Sequence, residues 1–197
     1  MSGRDPMEFG WWLASRASGV VALVLIGLSV AIGLLMAARA IKAPAQRRAL
    51  IAIHEHAALA ALVAIAVHGI TLLGDSFLDP GIAGIAVPFV IDHEPVFTGL
   101  GIIGGYIAAI LGLTFYVRQR IGTKRWRNFH RLTPLVYVLG VTHTLGSGSD
   151  AGQPWLLAIL IATGAPILYV GILRALPQDD RRRGTRRTGI KEVPGAS

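Results

Sequence analysis

The sequence predicts an all-α integral membrane protein, a bundle of about five transmembrane helices. Three observations support this fold class: 53% of the 197 residues are hydrophobic, only 15% are charged, and the apolar residues are gathered in long blocks. Soluble domains carry about 25% charged residues, and each helix that crosses a bilayer needs roughly 20 apolar residues. The chain has no cysteine, which excludes disulfides, thiolate metal sites and cysteine-ligated iron–sulfur clusters.

Five apolar segments account for the predicted helices. The first is too long for the apolar part of a cleavable signal and has no net-basic region before it, so we expect a retained helix. The fourth has only a short apolar part. The segments are A (11–38), B (49–73), C (96–117), D (128–145) and E (154–173). The predicted organisation is a short outside segment (1–10), a membrane domain (11–175) and a basic cytoplasmic tail (176–197), which we expect to be disordered.

The charges between these segments alternate in sign, as five crossings require. The loops B–C and D–E contain acidic residues and no lysine or arginine. The positive-inside rule therefore places the N-terminus outside and the C-terminus in the cytoplasm of a plasma-membrane protein. We interpret the arginine-rich tail as an anchor near anionic lipid rather than a nucleic-acid site. The basic residues are Arg39, Lys42, Arg47 and Arg48 in loop A–B, Arg118, Arg120, Lys124, Arg125 and Arg127 in loop C–D, and Arg181, Arg182, Arg183, Arg186, Arg187 and Lys191 in the tail.

Four histidines fall at two depths in the predicted bundle. His54 and His68 are fourteen residues apart on helix B, and His130 and His143 are thirteen residues apart on helix D. Both helices run outward, and each pair spans about 20 Å at 1.5 Å per residue. His54 and His130 therefore share the inner level, and His68 and His143 share the outer level.

Two imidazoles that face each other between helices suit a haem iron with both axial positions filled. Zinc usually takes more protein ligands at one level. For one intramembrane histidine taken alone, a helix–helix hydrogen bond or a proton relay explains the residue as well as metal binding does. Four histidines in two depth-matched pairs are harder to explain in that way. Thirteen residues leave His130 and His143 about 140° apart on a straight helix. Because Pro134 lies between them, we expect helix D to be distorted there. Glycines on helices A and C indicate close helix packing or room for a macrocycle.

These spacings, on two helices separated by one, resemble the ferric reductase-like transmembrane domain superfamily. That superfamily includes ferric reductases, NADPH oxidases and the haem subunit of the bacterial periplasmic methionine sulfoxide reductase system. "GTKRWRNFHRLTPLVYV" at 122–138 is similar to the family's basic loop and second ligand helix, and "SRASGVVALVLIGLSVAIGLLM" at 15–36 is similar to the helix before the first ligand helix. The resemblance implies two b-type haems, with His54 and His130 as axial ligands of the inner one and His68 and His143 of the outer one.

The sequence also departs from this family. Eukaryotic members carry a flavin and nicotinamide module after the membrane domain, whereas about 20 residues follow segment E here, without a glycine-rich nucleotide loop. We therefore expect the electrons to come from a cytoplasmic flavoprotein or from quinol, with a quinone as a further candidate cofactor. NADPH oxidases form their oxygen site with an arginine and a histidine. Arg16 matches the first, but Leu72 occupies the second position, so we do not expect dedicated superoxide production.

Haem propionates are anionic and need basic partners. Arg125, Arg127 and Arg131 surround His130 and are the inner candidates, and Arg16 is the outer candidate. Each inner arginine also contributes to the positive charge that sets the orientation of the protein in the membrane. His56 and His93 are expected to be ordinary polar residues of a helix end and an acidic loop. The alternatives are that His56 faces the basic loop C–D or a quinol pocket, and that His93 attracts a ferric ion or docks a partner.

The predicted function is a di-haem b-type cytochrome that carries electrons outward across the membrane to ferric iron, oxygen or a reductase subunit. Whether the chain is itself an enzyme or an electron-transfer subunit stays open. Three alternatives also stay open: a quinol-fed haem subunit of a periplasmic reductase, a non-redox transporter with a histidine proton relay, and a haem-binding assembly or sensing subunit.

Overall fold

The computed structural model describes residues 6–38, 41 and 43–175. Within these residues it is entirely helical, with eight α-helices and no β-strand. The tail at 176–197, where we expect disorder, lies outside the described residues. The helices are α1 (Pro6–Ala37), α2 (Pro44–Leu72), α3 (Gly81–Ala86), α4 (Pro95–Leu113), α5 (Arg118–Ile121), α6 (Thr123–His130), α7 (Thr133–Ser147) and α8 (Pro154–Ala175).

Four of the described helices are long and apolar enough to cross a membrane: α1, α2, α4 and α8. They correspond to segments A, B, C and E, so the prediction of a multi-pass helical membrane protein is confirmed. Proline occupies the first turn of α2 and α4, where its missing N–H has no helical partner to lose. Segment C was expected to reach residue 117, but α4 ends at Leu113 and the chain continues in turns.

The distortion predicted at Pro134 is present, but it is a complete break, so the single helix predicted over segment D is corrected to two helices. Helix α6 ends at His130 and α7 begins at Thr133. The cause is Pro134, which has no N–H to donate to the carbonyl of His130 four residues earlier. The Thr133 hydroxyl donates to that carbonyl instead. At 15 residues, α7 is shorter than the four candidate spans, so five full crossings stay a prediction.

Helix α1 lies at the centre of the bundle. It packs along α2 over most of its length, and also contacts α7 and α8, while α4 packs mainly against α7. Leu23, Val30, Tyr137 and Ile167 form the buried core where α1, α7 and α8 meet. The Tyr137 hydroxyl lies 2.7 Å from the Thr163 hydroxyl of α8, which satisfies both groups within this apolar core.

The outer surface of the bundle is apolar. Val63, Ile110 and Ile161 are 62–68% exposed, although each lies in a helix that is long enough to span a membrane. In water such a surface would drive aggregation, but lipid tails are as apolar as these side chains. The polar backbone groups of these spans are satisfied within their helices, as a bilayer requires.

Gly27 permits the close contact of α1 with α7 and α8. A Cβ at this position would lie 2.9 Å from Thr163 and 3.1 Å from Tyr137. We expect Gly27→Val to destabilise the fold by about 1–3 kcal/mol through overpacking, measured as a lower midpoint of thermal unfolding in detergent. Gly10→Val is the matched control, because nothing lies within 4 Å of its Cβ position on the same helix. Equal midpoints for the two variants would contradict this packing.

Candidate functional site

The four histidines lie in two pairs between α2 and the α6–α7 unit. The rings of His54 and His130 have centroids 6.0 Å apart and planes at 88°. The rings of His68 and His143 have centroids 6.2 Å apart and planes at 75°. Fourteen residues of α2 separate the two pairs, which corresponds to about 20 Å along the helix axis. The structure therefore brings together the partners that the sequence pairs by depth.

Helix α1 holds both histidines of α2 in the same way. His68 Nδ1 lies 2.8 Å from the backbone carbonyl oxygen of Ser15, and His54 Nδ1 lies 2.8 Å from that of Ser29. The serine hydroxyls are also close, at 3.1 Å and 3.0 Å from the same nitrogens. Ser15 and Ser29 are fourteen residues apart, as are the histidines that they contact.

A glycine four residues after each serine makes these contacts sterically feasible. A Cβ at Gly19 would lie 3.0 Å from His68 Nδ1, and one at Gly33 would lie 3.3 Å from His54 Cε1. Each ring therefore rests on a glycine and reaches the carbonyl one turn before it. We call each such unit, an acceptor carbonyl followed by a glycine four residues later, a cradle.

Helix α4 provides a third cradle, for His143. Its Nδ1 lies 3.0 Å from the carbonyl oxygen of Phe97, and a Cβ on Gly101 would lie 2.6 Å from the same nitrogen. The Ser147 hydroxyl, one turn later on α7, lies 3.0 Å from Nδ1 as well. Three of the four histidines are thus held through Nδ1 by the backbone of a neighbouring helix.

These contacts define the tautomer of the three cradled histidines. A carbonyl oxygen only accepts hydrogen bonds, so Nδ1 carries the proton and donates. The neutral ring then has its lone pair on Nε2, the nitrogen that is free to bind a metal. A hydrogen-bond acceptor on the ring nitrogen that does not bind the metal is usual for metal-binding histidines, because it fixes the ring and raises its basicity.

His130 is held differently. Among the described residues its Nδ1 has no hydrogen-bond partner, although the atom is buried. Its ring stacks on the indole of Trp126, with centroids 4.6 Å apart and planes at 23°. The three predicted arginines Arg125, Arg127 and Arg131 lie on α6 or directly after it, and all are exposed.

Arg16, the fourth predicted arginine, forms an ion pair. Its Nε and Nη2 both donate to the carboxylate of Asp150 in the loop between α7 and α8. The guanidinium also lies 4.9 Å from the Trp12 ring centroid and 5.9 Å from that of Trp155. Since Ser15 holds His68, this pair ties the loop after α7 to the end of α1 nearest the second histidine pair.

The other two histidines lie apart from these pairs. His56 is exposed and its Nδ1 lies 2.7 Å from the Ala52 carbonyl oxygen of its own helix. His93 is exposed and lines a pocket with Asp79 and Asp92 in the segment between α2 and α4. Within the described residues, no group of three or more histidine, aspartate or glutamate side chains is arranged to hold a metal ion.

The fold and the paired histidines define the class of protein, a multi-pass helical membrane protein. The chain belongs to the family described as ferric reductase like transmembrane component, whose model matches residues 18–141. This confirms the predicted relationship and implies transmembrane electron transfer by haem. The matched range includes His54, His68 and His130, and His143 lies two residues beyond it. Comparisons with curated proteins and with solved structures gave no match.

The histidine pairs fit a haem iron. An iron bound on both sides by imidazole nitrogens at about 2 Å, a typical length for a first-row metal, has ring centroids about 6 Å apart, because ring bonds of about 1.3 Å place each nitrogen roughly 1.1 Å from its centroid. The observed separations are 6.0 Å and 6.2 Å. Two protein ligands also leave the remaining coordination positions to a macrocycle.

Sequence reasoning missed the residues that support the histidines. Ser15 and Ser29 repeat the fourteen-residue spacing of His54 and His68, and a glycine follows each serine by four residues. That repeated Ser-x-x-x-Gly pattern is a signal that was available in the sequence. The acceptor at Phe97 has no such signal, because its carbonyl is a backbone group that every residue has.

Gly101 tests the third cradle. We expect Gly101→Ala to displace the His143 ring, because the new Cβ would lie 2.6 Å from Cγ and Nδ1. The haem content per chain of the purified protein should fall, and the absorption spectrum should lose low-spin character. Gly105→Ala is the matched control one turn later, since its Cβ would make an ordinary 3.5 Å contact with Ile65. Equal haem contents in the two variants would contradict the cradle.

Proposed function

We propose that this protein is a di-haem b-type cytochrome that carries electrons across the plasma membrane from the cytoplasmic side to an outside acceptor. The observation that carries the proposal is the two histidine pairs, with centroid separations of 6.0 Å and 6.2 Å, at two levels of one bundle. Family membership supports it, since transmembrane electron transfer by haem is the general activity of this family.

The protein would supply two histidine ligands for each haem, and would orient and bury it. His54 and His130 would bind the inner haem iron, and His68 and His143 the outer one. When bound, haem supplies one-electron chemistry, the change of its iron between the ferric and ferrous states. The Nδ1 hydrogen bonds of His54, His68 and His143 keep Nε2 available for the iron and resist ring rotation.

The arginines are proposed to balance the propionates. Arg125, Arg127 and Arg131 lie within five residues of His130, and Coulomb attraction to a carboxylate would be favourable at any of the three. At the outer level, a propionate would have to share Arg16 with Asp150, which already accepts two hydrogen bonds from it. Asp150 is buried, so its carboxylate already balances the positive charge of Arg16.

The direction of transfer rests on the loop charges. The exposed cations Arg120, Lys124, Arg125 and Arg127 precede His130 by three to ten residues along the chain, and the positive-inside rule assigns this basic segment to the cytoplasm. The segment between α2 and α4, which contains Asp79, Asp92 and His93, would then face outside. An acceptor such as ferric iron, oxygen or a reductase subunit would meet the protein near this segment and the α7–α8 loop.

The donor is proposed to be a separate cytoplasmic flavoprotein or quinol. The basic α5–α6 surface would attract an acidic flavoprotein, and such attraction is screened beyond about 8 Å at physiological ionic strength. A flavoprotein-driven rate should therefore fall as salt rises, whereas quinol would reach the inner level from the lipid and respond little. A quinol-fed subunit of a periplasmic reductase is the second candidate function, and this salt dependence separates the two.

Histidine replacements test the pairing. We expect two six-coordinate, low-spin haems per chain that acid extraction removes, because the sequence contains no cysteine for covalent attachment. His54→Ala and His130→Ala should each remove the same haem in a redox titration, and His68→Ala and His143→Ala should remove the other. His56→Ala and His93→Ala are the controls and should retain both haems. Matching behaviour of the His54 and His143 variants, or a haem content near one in the wild type, would refute the proposed pairing.

Oriented vesicles test the direction. Reductant confined to the side that bears the α5–α6 surface should reduce a membrane-impermeant oxidant on the other side. His68→Ala should abolish this transfer, because the electron would lose its outer carrier, and His93→Ala should not. If electrons crossed equally well without His68, the outer pair would not lie on the path.

A further inference from the structure

The four proposed ligands are not supported alike. His54, His68 and His143 each donate from Nδ1 to a backbone carbonyl at 2.8–3.0 Å. His130 makes no such bond in the described part of the chain. Its ring instead lies nearly parallel to the indole of Trp126, at 4.6 Å. Trp126 is one helical turn earlier on α6, the spacing at which helical side chains meet.

Trp126 in turn contacts a second aromatic ring. Its ring centroid lies 5.7 Å from that of Phe115, which follows α4. The Arg118 guanidinium covers the Phe115 ring at 3.8 Å and donates a 2.7 Å hydrogen bond to the Phe115 carbonyl. These four side chains, Arg118, Phe115, Trp126 and His130, form one continuous row of contacts from the start of α5 to the proposed ligand, with the Phe115 and Trp126 rings tilted by 59° and the Trp126 and His130 rings stacked.

This row of contacts matters because His130 is separated from the membrane helix that follows. His130 is the last residue of the eight-residue helix α6, and the break at Arg131 and Leu132 divides it from α7. Packing within α7 therefore does not fix the direction of its ring. A short helix is also unstable alone in water, so its position depends on contacts such as the one between Trp126 and Phe115.

We propose that Trp126 is a positioning residue for the inner haem, which holds the His130 ring by stacking in place of a hydrogen bond at Nδ1. The inference rests on the proposed function, in which His130 binds the inner iron. Stacking orients the plane of a ring but does not accept the Nδ1 proton, so among the described residues His130 lacks the hydrogen-bond acceptor that strengthens a histidine ligand. His130 is then the weakest of the four ligands, and the one that a change in its surroundings releases first.

Substitution of Trp126 in the full-length, haem-loaded protein tests this role. In Trp126→Ala we expect the fraction of reduced haem that binds carbon monoxide to rise about two- to tenfold, the range that stacked aromatic pairs support. Carbon monoxide binds ferrous haem only where a ligand has left, so the gain should not exceed one haem per chain. The ferric electron paramagnetic resonance spectrum should change for the inner haem and not for the outer one.

Two further variants separate positioning from general damage. Trp126→Phe retains a stacking ring and should stay close to the wild type, whereas Trp126→Leu retains apolar volume without a ring and should resemble the alanine variant. Phe129→Ala is the matched control, because Phe129 lies on the same helix but is 55% exposed. The leucine variant keeps the test decisive if the alanine variant does not accumulate.

The possible results distinguish this inference from the proposed function. If Trp126→Leu and Trp126→Phe bound carbon monoxide alike, or if Trp126→Ala matched Phe129→Ala, Trp126 would not position the ligand. If His130→Ala retained both haems, the proposed function itself would be wrong. If His130→Ala lost one haem but the Trp126 variants bound carbon monoxide like the wild type, only the positioning role of Trp126 would be overturned.

Discussion

The rest of the structure depends on the hydrogen bonds from the α2 histidines to the backbone of α1. A buried donor left without a partner costs about 1–3 kcal/mol, and the cradles at Ser15 and Ser29 satisfy two such donors at once. Because serines and histidines repeat at the same interval, a slip of one helix along the other by a turn would break both bonds together. The packing of α1 on α2 is thereby fixed in one register, and the levels of both histidine pairs with it.

The partner histidines reach these levels by different means. His143 lies within α7 and is held by α4, which α7 contacts along its length. His130 would point away from His54 on a straight helix, and the break enforced by Pro134 allows it to face its partner. Thr133 satisfies the carbonyl that Pro134 leaves without a donor. One proline thus allows two histidines thirteen residues apart to face their partners in both pairs, and in doing so it interrupts the helix.

The sequence predicted those features that depend on the type of side chain at each position. The long apolar runs predicted the spans of α1, α2, α4 and α8, and the histidine spacings predicted the pairs that the structure brings together. Interactions that depend on tertiary contact were not predictable. Arg16 and Asp150 are 134 residues apart, and nothing local indicates that they form an ion pair. The extent of the break before α7 also escaped prediction, because a proline between two membrane-depth histidines is compatible with either a kink or two separate helices.

The cradles have a consequence for how such a site varies during evolution. Their acceptors are peptide carbonyls, which every amino acid provides, so replacing Phe97 or Ser15 leaves the carbonyl oxygen in the molecule. The glycines have no equivalent substitute, since even a methyl group at Gly101 would collide with the ligand ring. Among divergent relatives that use the same architecture, the residues that contact the histidines through their backbones are therefore free to drift. The invariant signature should consist of histidines and small residues at matched intervals, with little else in common.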